Sequence, residues 1–557
     1  MRAENKNQRL MRTRKTLALV STLFLGASLI TSAPAMADNT NDSGPTIREL
    51  ADQAGILFGS GSVKASESTT DDRPANYFTD PRYGATLSEQ FNSLSPENEF
   101  KWNMVQPEEG VFDFAGLDRL VAFAQEHDME VKAHSGISRS FNPDYLVAKT
   151  DPAEFRAAVV EHFETIMQRY SGKMDRWDIV TEMFTTFGGE GLEHNLFYER
   201  MGPDYVAETL RIAHAADPTA KLFINENMVE FYPAKRQELY DLVAGMVADG
   251  VPLDGVALQM HETYVGPTPG VLTDIINDYR ALGLEVTIAE LDVHTYDPIS
   301  QAQIYGDVVA EALAAGVTDI SVWGFTDKHL YTWLPGAKPT MFDEEFNPKP
   351  AFVAVRDALK SYIHNGSAPS AAVLSSTAGW ATGLRDGNYN IEMNLWHGTP
   401  GSYYRLYEND VLVDGQQLNA VDVTSQTAST EFSGKANGTY TYRAELINSE
   451  GVTHTSSVTV TVTDAAPAQP VVSTDNWDRD GDFIATANLW WGTNATSYAF
   501  FLDGVEVGAG DLSAATPNAQ TATLTLEGVA RGAHTLTATF TNANGSTSSE
   551  PVVVTVD

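Results

Sequence analysis

The feature that most constrains the fold of this chain is an alternation of short apolar segments and longer helical patterns over residues 47–363. Eight apolar segments end in polar or charged residues, and helical patterns such as Pro152–Tyr170 and Pro233–Asp249 lie between them. Such alternation indicates parallel strands with helical crossovers, and eight units in this length predict a closed (β/α)8 TIM barrel. The predicted strands lie at or near Ile56–Val63, Asn92–Asn98, Glu130–Ser135, Arg176–Glu182, Lys221–Glu226, Gly255–His261, Glu285–Asp292 and Ile320–Thr326.

The composition changes after the predicted barrel. Residues 364–376 are rich in small residues and predict a linker, and the remainder shows strand-like alternation. An internal repeat is visible, because DGNYNIEMNLWHGT at 386–399 aligns with DGDFIATANLWWGT at 480–493. We therefore predict an α/β barrel followed by two all-β immunoglobulin-like sandwiches, at 377–464 and 471–557, with a second linker at 465–470.

Residues 1–37 have the pattern of a signal peptide. Basic residues precede an apolar stretch at 17–30, and an A-x-A cleavage site ends at Ala37. We expect 38–46 to be a disordered leader and the mature protein to be secreted and extracellular. An uncleaved membrane anchor is the alternative.

Charge and composition exclude several classes of function. The formal net charge is −38, which argues against a nucleic-acid partner because such a surface repels phosphate backbones. The chain has no cysteine, which excludes a disulfide scaffold, a thiolate metal site and a cysteine nucleophile. The sequence shows no cluster of metal ligands, so we expect no metal, no cofactor and a monomer.

Two glutamates are the candidates for chemistry. Glu182 and Glu290 end the fourth and seventh predicted strands, so barrel closure brings both to one mouth. Glycoside hydrolysis needs one protonated and one ionised carboxyl group flanking the bond. A single strand-end glutamate is more often a salt-bridge partner, whereas a pair at one mouth predicts a glycosidase. The residues alone leave a retaining and an inverting mechanism open, because these differ in the separation of the carboxyl groups.

Five segments resemble the barrel of glycoside hydrolase family 10, in the same order and at similar spacing. They are SPENEFKW at 95–102, RWDIVTEMF at 176–184, Gln259-Met260-His261, TIAELDV at 287–293 and SVWGFTD at 321–327. Most members of that family are endo-β-1,4-xylanases. The resemblance therefore implies a retaining endo-β-glycosidase whose partner is an oligosaccharide or polysaccharide.

The resemblance also implies a role for each matched residue. Glu182 is the implied acid/base and Glu290 the implied nucleophile. His261 is implied to hydrogen-bond the nucleophile, and Asp292 to orient His261. The implied sugar-binding residues are Glu97, Asn98 and Lys101 in the −2 subsite, His134 and Gln259 in the −1 subsite, and Trp323 and Trp333 as an apolar wall.

The chain departs from the family pattern at the −1 subsite. Thr181 stands where the family has an asparagine before the acid/base, and Ser138 and Arg139 stand where it has a Trp-His pair. Two substrates therefore stay open. One is xylan, and the other is the sugar chain of a steroidal saponin such as α-tomatine, which a tomatinase branch of the family removes. The alternative function is a catalytically inactive carbohydrate-binding or adhesive protein.

The aromatic residues of the repeats leave two interpretations. In one, a sugar-binding platform is formed by Trp380, Trp396, Trp477, Trp490, Trp491, Tyr403 and Tyr404. In the other, which we favour, one tryptophan per sandwich lies in the core, because NLW falls on a predicted inner strand. Since Trp490 and Trp491 have opposite phases, we expect one of them to face solvent.

Overall fold

The computed structural model describes residues 44–67 and 73–557, and it confirms a parallel eight-stranded barrel followed by antiparallel β-sheets. The predicted signal peptide and residues 38–43 of the predicted leader lie outside the described residues. The barrel strands are β1 (Leu57–Val63), β2 (Ser93–Pro96), β3 (Glu130–Ile137), β4 (Arg176–Thr181), β5 (Leu222–Glu226), β6 (Gly255–Leu258), β7 (His261–Glu262), β8 (Glu285–Val293) and β9 (Asp319–Trp323).

Parallel pairing closes the barrel between β1 and β9 and between β6 and β8. The sixth barrel strand is interrupted, so it contributes two segments, β6 and β7, where the sequence predicts one. Met260 lies in the interruption with a φ of +64°, which extended backbone does not adopt. The second segment then pairs with β8, placing His261 opposite Asp292.

Helices surround the barrel, and proline marks the start of several of them. The α-helices are α1 (Ile47–Ala54), α2 (Pro81–Gln90), α3 (Trp102–Val105), α4 (Ala115–Glu126), α5 (Asp144–Val147), α6 (Pro152–Tyr170), α7 (Leu196–Met201), α8 (Tyr205–Ala216), α9 (Pro233–Ala248), α10 (Val271–Ala281), α11 (Pro298–Ala314) and α12 (Pro350–Ile363), with 3-10 turns at Tyr77–Thr79 and Asp327–His329. Proline suits the first position because the N–H it lacks has no partner inside the helix. Among the described helices, none is both long and apolar enough to cross a membrane.

The two repeats form similar β-sandwiches. Repeat 1 contains β10 (Val373–Ser376), β11 (Tyr389–Leu395), β12 (Tyr403–Glu408), β13 (Val411–Gln417), β14 (Gln426–Phe432), β15 (Gly438–Asn448), β16 (Gly451–His454) and β17 (Val458–Val462). Repeat 2 contains β18 (Val471–Thr474), β19 (Phe483–Leu489), β20 (Ser497–Leu502), β21 (Val505–Asp511), β22 (Gln520–Leu526), β23 (Gly532–Asn542), β24 (Gly545–Ser548) and β25 (Val552–Val556). In each, a three-stranded sheet packs on a larger one, in the orders β10-β11-β14 and β18-β19-β22 for the smaller sheets.

Strand β10 lies inside the segment for which the sequence predicts only a linker, residues 364–376. It pairs with β11, and Leu374 is buried while Val373 is exposed. Small neighbouring residues mask this alternation in the sequence. The first strand of repeat 1 therefore begins earlier than predicted.

The favoured interpretation of the tryptophans was wrong, because all five in the repeats are 56% to 88% exposed. Leu395 and Leu489 occupy the last inward positions of β11 and β19. Alternation then turns Trp396 and Trp490 outward. Trp491 is exposed as well, so both members of that pair face solvent.

Other aromatic residues fill the sandwich cores. Tyr389, Tyr404 and Tyr442 lie in the core of repeat 1, and Phe483, Phe500 and Phe540 lie in that of repeat 2. Tyr403 is also buried. Tyr403 and Tyr404 therefore do not belong to a surface platform.

Repeat 1 packs directly on the barrel. Tyr403 and Ile447 join the hydrophobic core of the barrel. The Tyr403 hydroxyl donates to Glu311 Oε2 on α11 at 3.2 Å. Glu311 Oε1 accepts the backbone N–H groups of Gly270 and Thr273 at the start of α10, at 3.1 and 2.8 Å.

Candidate active site

The carboxyl ends of the barrel strands bring the predicted site residues together. Glu182 follows β4 and has a φ of +55°, a conformation that is costly for a residue with a side chain and that clusters at functional sites. Glu290 lies in the half of β8 nearer its carboxyl end, and its side chain is buried. Residues of β3, β5 and β7, together with Gln259 between β6 and β7, contact the two carboxyl groups.

Glu290 is held by three side chains. Asn225 Nδ2 donates to Glu290 Oε1 at 3.0 Å, His261 Nε2 lies 3.4 Å from Oε2, and His134 Nδ1 lies 3.7 Å from Oε1. Burial by itself raises the pKa of Glu290, but electrostatic interaction with His134 and the hydrogen bond from His261 outweigh it, and the pKa is lowered. The result is a buried carboxylate that stays ionised near neutral pH.

His261 lies between Glu290 and Asp292 in a buried row of ionisable side chains. Its Nδ1 lies 2.8 Å from Asp292 Oδ1, and His294 Nε2 lies 2.9 Å from Asp292 Oδ2. Burial opposes a charged imidazole, but Asp292 and Glu290 outweigh burial and raise the pKa of His261 well above its ordinary value. Burial by itself raises the pKa of Asp292, but His261 and His294 outweigh it and the pKa is lowered.

Glu182 is the more accessible of the two carboxyl groups, with 27% of its side chain exposed. Gln259 Nε2 donates to its Oε1 at 3.4 Å. Arg139 Nε lies 3.2 Å from its Oε2 and also pairs with Glu193 at 3.4 Å. Arg139 therefore occupies the side of the site where the family resemblance led us to expect a Trp-His pair.

Asn225 and Gln259 link the two carboxyl groups. Gln259 Nε2 donates to Asn225 Oδ1 at 2.9 Å as well as to Glu182. Asn225 Nδ2 in turn donates to Asp178 Oδ2 and to Glu290, each at 3.0 Å. Each amide is thus fixed in one orientation, because its oxygen or nitrogen already has a defined partner.

Thr181 is buried beside this pair, and its hydroxyl has no hydrogen-bond partner among the described residues. A buried hydroxyl without a partner is costly, and in a native structure it calls for an explanation. Thr181 is paired with Asn225 in the register of β4 and β5.

Glu97, Asn98 and Lys101 form a hydrogen-bonded cluster, and Lys101 interacts electrostatically with Glu290 and Glu182. Lys101 Nζ donates to Asn98 Oδ1 at 3.0 Å and lies 4.0 Å from the centre of the Phe141 ring. Burial lowers the pKa of Lys101, against the attraction of Glu97, Glu290 and Glu182. Glu97 accepts hydrogen bonds from Ser62 at 2.7 Å and from Arg73.

Aromatic rings form one side of the site. His134 and Trp323 meet edge to face with centroids 5.4 Å apart. Trp333 stacks on His294 at 3.6 Å and meets the His261 ring edge to face at 5.5 Å. Trp333 is 43% exposed, so part of its side chain is open to solvent.

Sequence reasoning missed several residues of this site. Asn225 sits near the end of an apolar strand, so the rule that selected Glu182 and Glu290 also selects it. Arg73, Asp178 and His294 carry no comparable signal, because only the closed barrel brings them near the site. Within the described residues, no group of three or more His, Asp or Glu side chains is placed to hold a metal ion.

Comparison with known proteins identifies two regions. Residues 46–358 match the model of glycosyl hydrolase family 10, and residues 385–477 match the N-terminal domain of chitinase A. A beta-1,4-xylanase of Dictyoglomus thermophilum is 33% identical over 292 residues, covering 48% of this chain and 82% of that protein. The endo-1,4-beta-xylanase B of Thermotoga neapolitana is 30% identical over 296 residues, covering 51% and 84%. The structure of native xylanase 10B from Thermotoga maritima superposes with a TM-score of 0.52 at 30% identity, covering 57% of this chain and 99% of that one.

The barrel, its paired carboxyl groups and these relatives define an enzyme that hydrolyses glycosidic bonds. The chain belongs to glycosyl hydrolase family 10, with a C-terminal β-region that includes a domain similar to the N-terminal domain of chitinase A.

Proposed function

We propose that this protein is a retaining endo-β-glycosidase in which Glu182 is the acid/base and Glu290 is the nucleophile. The observation that carries the proposal is the difference between the two carboxyl groups. Glu290 is buried, and His134, His261 and Asn225 lower its pKa against the effect of burial, whereas Glu182 is partly exposed and reachable by a leaving group.

The proposed reaction is a double displacement. Glu182 gives a proton to the glycosidic oxygen while Glu290 attacks the anomeric carbon, and the C–O bond to the leaving group breaks. The ionised Glu182 then takes a proton from water, which attacks the same carbon and releases Glu290. His261 and Asn225 keep the nucleophile oriented for both steps, because each donates to one of its oxygens.

The remaining residues are proposed to position sugar units. Glu97, Asn98 and Lys101 offer hydrogen-bonding groups for the −2 unit. Gln259 and His134 border the −1 unit, and Trp323 and Trp333 present ring faces that suit the C–H faces of a sugar.

Two substrates fit the proposal. The relatives named as xylanases support xylan. Thr181, Ser138 and Arg139 replace larger or differently shaped family residues around the −1 unit, and this change supports a hexose joined to the aglycone of a steroidal saponin. In either case the barrel acts on a plant β-glycoside.

The first experiment incubates wild-type protein and Glu290→Gln with xylan and with α-tomatine, and follows released sugars by mass. Glu285→Gln is the matched control, because Glu285 begins the same strand at the opposite end and pairs with exposed Lys221. Xylo-oligosaccharides from wild type and control only would assign xylan, and an intact oligosaccharide from α-tomatine would assign the saponin. Release by Glu290→Gln at the wild-type rate, or release by neither protein, would refute the proposal.

The stereochemistry of the first product tests the mechanism. Proton NMR during early turnover should show the β-anomer first, because two displacements retain configuration. An α-anomer would indicate an inverting enzyme.

Thr181→Asn tests the specificity of the −1 subsite. If Thr181 only weakens a xylanase pocket, the longer asparagine should raise kcat/KM on xylo-oligosaccharides about tenfold, since bonds to the 2-hydroxyl contribute in the transition state. We expect the variant to lower kcat/KM on the natural substrate if Thr181 serves a different sugar. Thr181→Ser, which keeps the hydroxyl, is the control.

The pattern of residues 1–37 supports export with cleavage after Ala37, giving an extracellular enzyme. N-terminal sequencing of protein from the culture medium of an expressing host tests this, and an intact N-terminus would contradict it.

A further inference from the structure

The internal repeat preserves a small set of outward-facing residues. Strands β11 and β19 correspond, and their inward positions are apolar in both repeats. Two of the outward positions differ, since Asn390 corresponds to Ile484 and Glu392 to Thr486. The next outward residues are the same, Asn394 and Asn488, and Trp396 and Trp490 then follow the strands.

Cross-strand pairing adds a hydroxyl to each set. Asn394 lies opposite Thr427 on β14, and Asn488 lies opposite Thr521 on β22. The Thr521 hydroxyl donates to Asn488 Oδ1 at 2.8 Å, which leaves the amide N–H groups of Asn488 free to point outward. Both threonines are exposed and both asparagines are half-buried. Each repeat thus carries one indole ring, one amide and one hydroxyl on the outer face of its small sheet.

We propose that these two sets, Trp396-Asn394-Thr427 and Trp490-Asn488-Thr521, are binding sites for sugar units of a neutral polysaccharide. An exposed indole face beside neutral hydrogen-bonding groups matches a pyranose, which has C–H groups on its face and hydroxyls at its edge. Neither set contains a charged residue, and the net charge of −38 disfavours an anionic polymer.

The spacing of the two sites argues for a long ligand. Trp396 lies at the end of repeat 1 near the barrel, because neighbouring Gly398 and Thr399 contact Ser370. Trp490 lies at the equivalent end of repeat 2, where Thr493 contacts the connecting segment at Asp464. The two rings therefore lie at corresponding ends of two successive sandwiches, so the body of repeat 1 separates them.

This spacing distinguishes a polysaccharide from a protein partner. Single rings on two separate sandwiches do not form the contiguous apolar area that a stable protein interface buries. A polymer of repeating units can occupy both sites at once, and the linked sites then bind more tightly than either alone. The inference does not depend on which glycoside the barrel cleaves.

The test measures depletion of full-length Glu290→Gln protein from solution by insoluble xylan, cellulose and chitin. We expect retention on at least one polymer, a loss of about tenfold in affinity for Trp396→Ala or Trp490→Ala, and loss of retention for the double variant. Asn394→Ala combined with Asn488→Ala should also weaken retention. Trp477→Ala is the matched control, because this tryptophan is 88% exposed but lies in the turn after β18, outside both sites.

Three outcomes would overturn the proposal: no retention on any of the polymers, equal retention of the double tryptophan variant and its parent, or loss of retention in Trp477→Ala alone. The double variant with Glu290 intact should hydrolyse a soluble oligosaccharide at the parent rate. If neither the double tryptophan variant with Glu290 intact nor its parent hydrolysed the oligosaccharide, the result would count against the proposed catalytic function. The retention measurement would still test the proposed binding sites.

Discussion

The charge on His261 connects Glu290, the proposed nucleophile, to the stability of the barrel. Asp292 and Glu290 raise the pKa of His261, so its contribution is present below about pH 6.5, the unfolded value, and is lost as pH rises through the folded value. The pKa values of Glu290 and Asp292 are lowered, so their contribution is present above about pH 4 and is lost at lower pH. All three contributions are complete only between about pH 4 and 6.5.

His261→Asn should therefore lower the free energy of unfolding by about 3 kcal/mol within that window, because it leaves two buried carboxylates without their cation. The difference from wild type should shrink on either side of the window. Urea unfolding at a series of pH values measures it, with His194→Asn as the control because His194 and its partner Glu199 are exposed. A difference that does not vary with pH would contradict this account.

Local sequence rules explained some residues of the site and missed others. Glu182 and Glu290 were predicted because a charged residue near the carboxyl end of an apolar barrel strand lies at the mouth of the barrel. Asn225 obeys the same rule, but an uncharged amide stands out less in a sequence than a glutamate does. The contacts of His294 and Asp178 depend on neighbouring strands, so their positions in the sequence do not identify them as residues of the site.

At the level of elements, α6 shows how short signals define a helix. Asp151 accepts hydrogen bonds from the N–H groups of Ala153 and Glu154, and Pro152 occupies the first helical position. The sequence predicts this helix at Pro152–Tyr170, and the structure has the same bounds. Buried residues such as Phe155, Phe163 and Met167 pack its inner face on the barrel that carries Glu182.

Asp151→Ala should lower the free energy of unfolding by about 1 kcal/mol, because two N–H groups lose their acceptor. Asp151→Asn keeps a side-chain oxygen and should lose much less. Thermal unfolding of both variants checks the difference, and kcat should be unchanged because the side-chain hydrogen bonds of Asp151 are to the backbone of its own helix. Equal losses in the two variants would show that charge rather than capping stabilises this end.

Element boundaries were hardest to predict where one side-chain contact overrides composition. The segment 364–376 looks like a linker by its small residues, but burial of Leu374 makes part of it a strand. Met260 breaks the sixth barrel strand through its positive φ, which no feature of the residue type indicates.

Over the whole molecule, the barrel and repeat 1 share a packed interface. Tyr403 inserts into the barrel core, and its hydroxyl supports Glu311, which accepts the N–H groups at the start of α10. Repeat 1 is thus tied to the helical shell of the barrel, and the two should unfold together.

Tyr403→Ala should destabilise the molecule by about 3 kcal/mol, the cost of emptying a buried aromatic site. It should also split a shared calorimetric transition into two, because the contact that couples the parts is lost. Tyr407→Ala is the control, since Tyr407 lies on the same strand, is half-buried and bonds Glu445 within repeat 1. A single transition in Tyr403→Ala would show that other contacts suffice for coupling.

The sequence by itself determined the barrel and the duplicated β-domains, because strand and helix periods and an internal repeat are local properties of the chain. It also pointed to the carboxyl pair, since strand ends can be read without knowing which strands are neighbours. Only the tertiary structure decided what holds that pair. Asn225 and Glu290, or His261 and Asp292, lie far apart in sequence, and they meet because parallel pairing sets the register between strands. The direction of the tryptophans in the repeats was likewise decided by packing, since whether Leu395 or Trp396 enters the core depends on the sheet that faces β11.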